Sequence, residues 1–275
     1  MKIPRSTQEM IPVKHILNDG TFVLDSGEYS KMFAFTDINY TELRDEEKMR
    51  RLVDYSALLN SIDKGIYAKI SIFFRPIRQE QFERDVLIPM NPEDELDDYR
   101  ENMNTVLREQ VRGTLGMTKQ AYLTITAGRR NDEDAAAFFA RVEGNLISSF
   151  QALGVELRAV PLSERLRLLH DIYRPGLEET FRYDAHAEKK LGMNWKDSIA
   201  PLSAEALNSC THLKIGGRYC KTLFLNAYPI YLNDRIVSDI ASIGKPMIFT
   251  IDFLPIPSAE AMAEAESRSM AIDTK

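Results

Sequence analysis

Alternating apolar and polar residues in three short runs at the start of the chain predict β-strands. The runs are IPVKHIL, TFVLDS and YSKMFAFTDI, and the pairs Asp19-Gly20 and Ser26-Gly27 separate them. A period of two, interrupted by turn-forming pairs that contain glycine, is typical of hairpins. We therefore predict a small antiparallel meander.

Apolar residues at helical spacing predict three long helices. In the first, ELRDEEKMRRLVDYSALLNSI, five residues fall on one face: Met49, Leu52, Val53, Ser56 and Leu59. The second, NPEDELDDYRENMNTVLREQVRG, is predicted to have Asn91 as its cap, Pro92 at its first position and Gly113 at its end. The third is predicted to run from a cap at Asn131 to Gly154. Its buried stripe is predicted to be Phe139, Val142, Leu146, Phe150 and Leu153.

Strand and helix patterns continue along the rest of the chain and predict its class. Strands are predicted at IYAKISIFF, QAYLTITAG, VELRAVP and PMIFTIDFLPI, and helices at LSERLRLLHDIYRPG and YLNDRIVSDIAS. Antiparallel runs mixed with helices favour an α+β fold, with a mostly antiparallel or mixed sheet, packed helices and two subdomains. We predict an N-terminal α+β subdomain (1–176), an irregular connecting segment (177–207), a hairpin–helix–strand subdomain (208–257) and a helical tail (258–275).

Composition and charge narrow the class of partner. The 275 residues are 44% hydrophobic and 28% charged, with a formal net charge of -6 and a pI near 5.4. This acidic balance disfavours bulk binding of nucleic acid. No run approaches the roughly 20 apolar residues of a spanning helix, and the N-terminus lacks the apolar core of a signal peptide. We expect a cytosolic protein with reduced cysteines.

The segment KIGGRYCKTLFL, residues 214–225, is the closest approach to a nucleotide-binding motif. A phosphate loop places glycines one and six residues before its Lys-Thr pair, so that backbone N–H groups can surround the phosphates. For Lys221-Thr222 these positions hold Cys220 and Ile215, whose Cβ atoms occupy space that the loop needs open. The following LFLNAYP also predicts a strand, whereas a phosphate loop leads into a helix.

The same segment fits a hairpin that turns at Gly216-Gly217. Pairing across this turn sets Ile215 opposite Arg218, Leu213 opposite Cys220 and Thr211 opposite Thr222. One face, predicted to suit a core, then carries Leu213, Ile215, Cys220 and Phe224. The other face, which we predict to touch solvent or a partner, carries His212, Lys214, Tyr219 and Lys221. Because Cys210 and Cys220 fall on opposite faces, this register argues against a disulfide or a zinc site between them.

Other candidate sites have simpler structural interpretations. The acidic run at 93–98 lacks the ligand spacing of an EF-hand and is typical of a helix start. His186-Ala187-Glu188 lacks the cysteine motif that accompanies it in zinc deaminases. His170-Asp171 fits an amphipathic helix, and Trp195 fits local packing or an interface anchor. Phosphate contacts are conceivable for Arg129, Arg130, Arg165 and Arg167, although such scattered arginines are more often solvated or paired.

A series of stretches in a fixed order covers nearly the whole chain. They are QEMIPVKHILNDGTFVL, YSKMFAFTDINY, YSALLNSIDKG, VLIPM with DELDDYRENMN, YLTITAGRRNDEDAAAFFARVEGNLI, LSERLRLLHDIYRPG, GGRYCKTLFLNAYPIYLNDRIVSDI and IDFLPIP. Each is weakly specific alone. In their order and spacing they resemble the N-terminal region of the conjugal transfer ATPases of type IV secretion systems, the TraE/TrbE/CagE-like, VirB-type family.

This resemblance implies a docking and assembly role rather than catalysis. In the family, the phosphate loop and the Walker B acid lie in a RecA-like domain further along, so ATP and magnesium are implied for that domain only. No catalytic, cofactor or metal residue is carried over to this chain. The implied partners are inner-membrane components of the secretion channel and further copies of the protein, at the cytoplasmic face of the membrane. The alternative is a cytosolic enzyme or a nucleic-acid-binding domain with a non-standard site near Lys221.

Overall fold

The strands and helices form an α+β fold, as the sequence predicts, and the described strands belong to two sheets. The computed structural model describes residues 4–36, 43–62, 65–77, 79–112, 117–186, 190, 192, 194–206, 211–226 and 236–273. The strands are β1 (Val13–Ile16), β2 (Phe22–Leu24), β3 (Glu28–Phe35), β4 (Ile66–Pro76), β5 (Met117–Gly128), β6 (Leu157–Ala159), β7 (Ala204–Ala206), β8 (Leu213–Ile215), β9 (Arg218–Cys220) and β10 (Met247–Phe253). The helices are α1 (Asp45–Asn60), α2 (Gln79–Asp85), α3 (Asp97–Arg112), α4 (Asp132–Ala152), α5 (Leu162–Tyr173), α6 (Ile236–Ala241) and α7 (Ser258–Asp273).

Among the described residues, one sheet has seven strands and the other has three. The larger follows the order β1-β2-β3-β5-β4-β10, with β6 also paired to β3, and the smaller follows β7-β8-β9. The chain divides into two compact units. Unit 1 comprises Met1–Lys69, Leu123–Leu225 and Asp252–Lys275, and unit 2 comprises Ile70–Tyr122 and Asn226–Ile251. The subdomain boundaries predicted from the sequence stay predictions.

The N-terminal meander of unit 1 is confirmed. β1 pairs antiparallel with β2, and β2 with β3. Gly20 and Gly27 have φ values of 84° and 88°, which L side chains rarely adopt. Gly20 is also closely surrounded, because an added Cβ would lie 2.6 Å from the carbonyl oxygen of Val160. The first turn therefore requires glycine for two separate reasons.

Trp195 belongs to the core of unit 1, as its packing interpretation predicts. Its side chain is 8% exposed and its ring centroid lies 6.1 Å from that of Phe22. The cluster of buried side chains around it comprises Ile11, Val13, Phe22, Leu166, Ile199 and Ala200. Residues from the irregular part of the chain thus complete a core that the meander and α5 begin.

Arg165 on α5 has a structural role, which removes it as a phosphate ligand. It is 5% exposed and stacks over the Phe22 ring at 3.8 Å. Its Nη1 donates to the carbonyl oxygens of Gly20 (2.9 Å) and Ser30 (2.6 Å), and its Nη2 donates to Ser30 Oγ (2.8 Å). Burial lowers the pKa of Arg165 to about 9, and the Asp19 carboxylate opposes this shift. Arg165 therefore stays charged at neutral pH and holds α5 against the meander.

The predicted bounds and buried stripe of α4 are confirmed. The Asn131 side chain accepts a hydrogen bond of 2.8 Å from the Asp134 amide, which caps the first turn. Gly154 follows the helix with a φ of 72°. The stripe faces the interior: Phe139, Leu146, Phe150 and Leu153 are buried and Val142 is half-buried.

The apolar face of α1 that the sequence predicts is largely exposed, with Leu59 half-buried. Met49, Leu52 and Val53 are 62%, 56% and 61% exposed, whereas Leu58 is 5% exposed. Leu58 lies nine residues after Met49, on the opposite side of a helix with 3.6 residues per turn. The Arg51 guanidinium contacts the end of α4, donating to the carbonyl oxygen of Ala152 at 3.4 Å. Arg51 lies seven residues before Leu58, on the same side of α1, so both mark the packed side that apolar spacing alone does not reveal.

In unit 2, α3 begins at Asp97 instead of at Pro92. Before it, Asn91 Oδ1 accepts from the Glu93 amide at 3.2 Å, and Asp94 Oδ1 accepts from the Leu96 amide at 3.0 Å. Asp97 Oδ1 also accepts from the Asn91 amide at 2.9 Å. These short-range side-chain bonds stabilise turns that compete with a helix. The predicted stop at Gly113 lies outside the described residues.

Candidate functional site

The Gly216-Gly217 turn forms the predicted hairpin in the predicted register. β8 and β9 pair antiparallel, with Leu213, Lys214 and Ile215 opposite Cys220, Tyr219 and Arg218. Gly216 and Gly217 have φ values of 54° and 86°. Positive φ at both central residues defines the two-residue turn whose twist matches that of paired strands. The ladder ends at Leu213 and Cys220, so the predicted pairing of Thr211 with Thr222 is not part of it.

A third strand, which the sequence analysis missed, extends the hairpin. β7 pairs with β8 and places Glu205 opposite Lys214, with its Oε2 3.8 Å from Lys214 Nζ. Strand β7 contains only three residues, Ala204–Ala206. Alanine and glutamate are depleted in strands, so this segment carries no propensity signal. Its one usable signal is the opposite charge of Glu205 and Lys214.

Three of the four predicted partner-facing residues lie together. Lys214 and Tyr219 are direct neighbours across the ladder. The rings of His212 and Tyr219 are 5.6 Å apart at 61°, and Tyr219 is 69% exposed. Lys221 follows the last ladder pair and is exposed, outside the strand. The ladder therefore orders His212, Lys214 and Tyr219, but it does not fix Lys221 beside them.

The opposite face is not a core face, which corrects the prediction for Leu213 and Phe224. Leu213 is 43% exposed and Phe224 is 83% exposed, while Ile215 and Cys220 are half-buried. Residues 221–225 are neither strand nor helix. Since β9 ends at Cys220, its alternation of faces does not reach Phe224. The consecutive side chains Leu223, Phe224 and Leu225, at 78%, 83% and 54% exposure, are instead presented to solvent.

The hairpin is attached to the end of α5 through Arg218. An added Cβ on Gly176 would lie 2.9 Å from Arg218 Nη2, so the guanidinium packs directly over the glycine backbone. Gly176 has a φ of 89° in the turn that follows α5, where the sequence predicts a helix stop at Pro175-Gly176. The same glycine thus allows the turn and gives Arg218 room to pack.

The surroundings of Lys221 do not form a phosphate loop. Phosphates are held by a wide loop that leads into a helix N-terminus. Here the chain instead forms a two-residue turn, a short strand and a segment that is neither strand nor helix. A cavity of about 350 Å³ in unit 1 lies elsewhere. Its described lining residues are Ser61, Ile62, Ile66, Ile125, Phe138, Arg141, Val142, Asn145, Leu146, Ser148 and Ser149. Neither Lys221 nor Thr222 is among them.

The His170-Asp171 pair is buried on α5. His170 is 0% exposed, with its Nδ1 3.5 Å from Asp171 Oδ1 and its Nε2 3.3 Å from Thr180 Oγ1. Burial lowers the pKa of His170, although Asp171 acts in the opposite direction. The neutral form is therefore favoured. A fully buried imidazole beside the Phe181 ring, at 5.4 Å between centroids, fits packing better than ligand binding.

The acidic run and the metal candidates give no cation site among the described residues. Arg100 donates to Asp94 at 2.5 Å and to Asp97 at 2.7 Å, so these carboxylates are already neutralised. No cluster of three or more potential metal ligands occurs in the described part of the chain. Cys210 and the Ala187-Glu188 part of the histidine motif lie outside it.

Comparison with models of known protein families finds no match to the chain, and comparison with curated proteins finds none either. Among the described helices, none combines the length and the apolar character needed to cross a bilayer.

Proposed function

We propose that the chain is the N-terminal docking and assembly domain of a conjugal transfer ATPase of the type IV secretion kind. It supplies contacts, and hydrolysis belongs to the RecA-like domain of the parent protein, which would bind ATP and magnesium. The proposal starts from the ordered resemblance of segments along nearly the whole sequence. Its partners are inner-membrane components of the secretion channel and further copies of the chain, and it lies peripherally at the cytoplasmic face of the membrane.

The exposed hairpin is the structural observation that best supports this docking role. We define the hairpin surface as His212, Lys214, Tyr219 and Lys221 together with the adjoining Leu223–Leu225. Exposed aromatic and apolar side chains concentrated in one place are typical of protein interaction sites. Tyr219 and Phe224, at 69% and 83% exposure, are the largest side chains available to a partner there. Lys214 pairs with Glu205 across the strands, and the exposed Lys221 adds a second positive charge to this surface.

Photo-crosslinking from the hairpin surface tests the proposal in donor cells. Phe224 is replaced by p-benzoylphenylalanine, a photoreactive residue of similar shape, and Glu133 on the exposed side of α4 provides the control position. We expect adducts from position 224 with an inner-membrane channel component or with a second copy, only in cells that carry the secretion channel. Adducts that form equally from position 133, or none from position 224, would contradict the docking role.

A nucleotide or nucleic-acid site near Lys221 is the competing function, and it has a direct test. Titration of ATP with magnesium should give no heat, and Lys221→Ala should leave any background ATPase rate unchanged. Single-stranded DNA should show no retardation at low salt, where a phosphate-binding surface binds most tightly. Turnover that disappears in Lys221→Ala would replace the docking proposal with the enzyme alternative.

A further inference from the structure

Helix α3 contacts the rest of unit 2 through its polar side. The Arg100 side chain is 18% exposed and pairs with Asp94 and Asp97. Asn104 is 2% exposed, and its side chain forms two hydrogen bonds with one residue of the preceding segment. Its Oδ1 accepts from the Ile88 amide at 2.8 Å, and its Nδ2 donates to the Ile88 carbonyl at 2.9 Å. The best-buried side chains described on this helix are therefore polar or charged, with Leu107 half-buried beside them.

The outer side of α3 is apolar. Tyr99, Met103 and Val106 are 74%, 52% and 48% exposed, and Leu96, in the turn before the helix, is 52% exposed. Their spacing of three, four and three residues keeps them in one stripe along the helix. A surface helix normally buries such a stripe and exposes its polar side. The inverted arrangement leaves an apolar surface of the shape and spacing that a second helix covers.

Negative charge borders this stripe. Asp98 and Glu109 are both exposed. They lie eleven residues apart, about three turns, so they follow the same edge of the helix. The two arginines of α3 whose side chains the structure describes are paired with carboxylates: Arg100 with Asp94 and Asp97, and Arg108 with Glu101 at 2.7 Å. The surface is therefore an apolar stripe with an acidic edge.

We infer that the outer stripe of α3 docks a basic amphipathic helix of a partner protein. Apolar side chains of that helix cover Tyr99, Met103 and Val106, and its lysines or arginines meet the edge at Asp98 and Glu109. A surface of anionic lipid fits less well, because its head groups would face these carboxylates. Two copies of α3 paired antiparallel would bring their acidic edges together, which is also unfavourable. The inference concerns unit 2 alone and does not depend on the proposed role in conjugation.

A binding titration with a defined probe tests this inference on the whole chain. The probe is a fluorescent peptide of about 18 residues, roughly five helical turns, with leucine on one side and lysine on the other. A matched peptide carries glutamate in place of lysine. Fluorescence anisotropy should show that the lysine peptide binds, that the glutamate peptide binds at least about tenfold more weakly, and that salt weakens binding.

Substitutions then locate the peptide on α3. Met103→Gln with Val106→Gln should weaken binding by about tenfold or more, as expected for loss of central apolar contacts. Ala137→Gln, exposed on α4 and outside the stripe and its acidic edge, is the matched control and should change binding less than about twofold. Glutamine favours helix and these sites are exposed, so circular dichroism should show unchanged folding. Asp98→Asn with Glu109→Gln should reduce the salt dependence.

Four results would each overturn the inference. They are no binding of the lysine peptide, equal binding of the glutamate peptide, binding that the double glutamine variant leaves intact, and a preference for phosphatidylglycerol vesicles over the peptide. Sedimentation velocity supplies a further check, since a dimer of the chain that Met103→Gln with Val106→Gln dissolves would make a second copy the occupant instead.

Discussion

The first turn of the meander offers a matched pair of glycines for a stability test. Gly20 and Gly27 belong to successive turns of the same three strands, and their φ values of 84° and 88° are nearly equal. Their surroundings differ, because an added Cβ at Gly20 lies 2.6 Å from the Val160 carbonyl oxygen while nothing lies within 4 Å of one at Gly27. Alanine at each site therefore separates the backbone cost from the steric cost.

The magnitudes follow from these two terms. The left-handed conformation costs alanine about 1–2 kcal/mol, and the smaller conformational freedom of the unfolded chain returns about 0.4–1 kcal/mol. Gly27→Ala should therefore lower the free energy of unfolding by about 1 kcal/mol or less. Gly20→Ala adds a clash with backbone atoms, for which overpacking costs of about 1–3 kcal/mol are typical. It also moves the Gly20 carbonyl oxygen, which accepts from Arg165. We expect a total of about 2–4 kcal/mol.

Urea unfolding followed by tryptophan fluorescence measures both variants. The sole tryptophan, Trp195, packs against Phe22 in the same core, so its emission reports on this region. The midpoints should differ while the slope of free energy against urea stays constant. If Gly20→Ala and Gly27→Ala destabilise the chain equally within about 0.5 kcal/mol, the close approach of Val160 has no energetic weight and the reasoning fails.

Three further predictions concern stability and pH. Arg165→Met should lower the free energy of unfolding in urea by about 3–5 kcal/mol, because it leaves buried carbonyl acceptors without their charged donor. The control, Arg158→Ala, breaks an exposed pair with Glu164 and should cost less than about 1 kcal/mol. Equal losses in the two variants would refute the buried role of Arg165. Asn131→Ala should cost about 1 kcal/mol through loss of the α4 cap, and an unchanged melting temperature would count against it. Hydrogen bonding from Arg100 lowers the pKa of Asp94 to about 2. The stability that ionised Asp94 contributes is therefore present above its unfolded pKa near 4 and is lost as the pH falls from about 4 to about 2. Arg100→Gln should flatten the dependence of unfolding free energy on pH in this range, and an unchanged slope would contradict the assignment.

Features set by local chemistry could be predicted from the sequence. The hairpin register follows from the Gly216-Gly217 turn, since a two-residue loop fixes which residues face each other. The bounds of α4 follow from Asn131 and Gly154, whose side-chain cap and positive φ are local properties. None of these features depends on residues far away in the chain.

Features set by distant contacts could not be predicted. The packed side of α1 includes Arg51, which reaches Ala152, 101 residues away. The start of α3 involves nearby residues, but apolar spacing does not show that Asp94 and Asp97 form turn-stabilising bonds, and both also accept from Arg100. In the candidate site, β7 had no propensity signal, and Phe224 was assigned to a face by extending a strand beyond its end. Periodicity shows that an element is amphipathic, but it does not show which side the rest of the chain covers.

The side chain of Asn104 imitates a peptide group. By accepting from the Ile88 amide and donating to the Ile88 carbonyl, it supplies the two hydrogen bonds that a neighbouring strand would otherwise offer. Extended backbone with such groups open is a template on which other chains can add strands and aggregate. An asparagine side chain carries one donor and one acceptor side by side, as a peptide group does. Asn104 therefore satisfies both backbone hydrogen-bonding groups of Ile88, so that another chain would have to displace this amide before it could pair there.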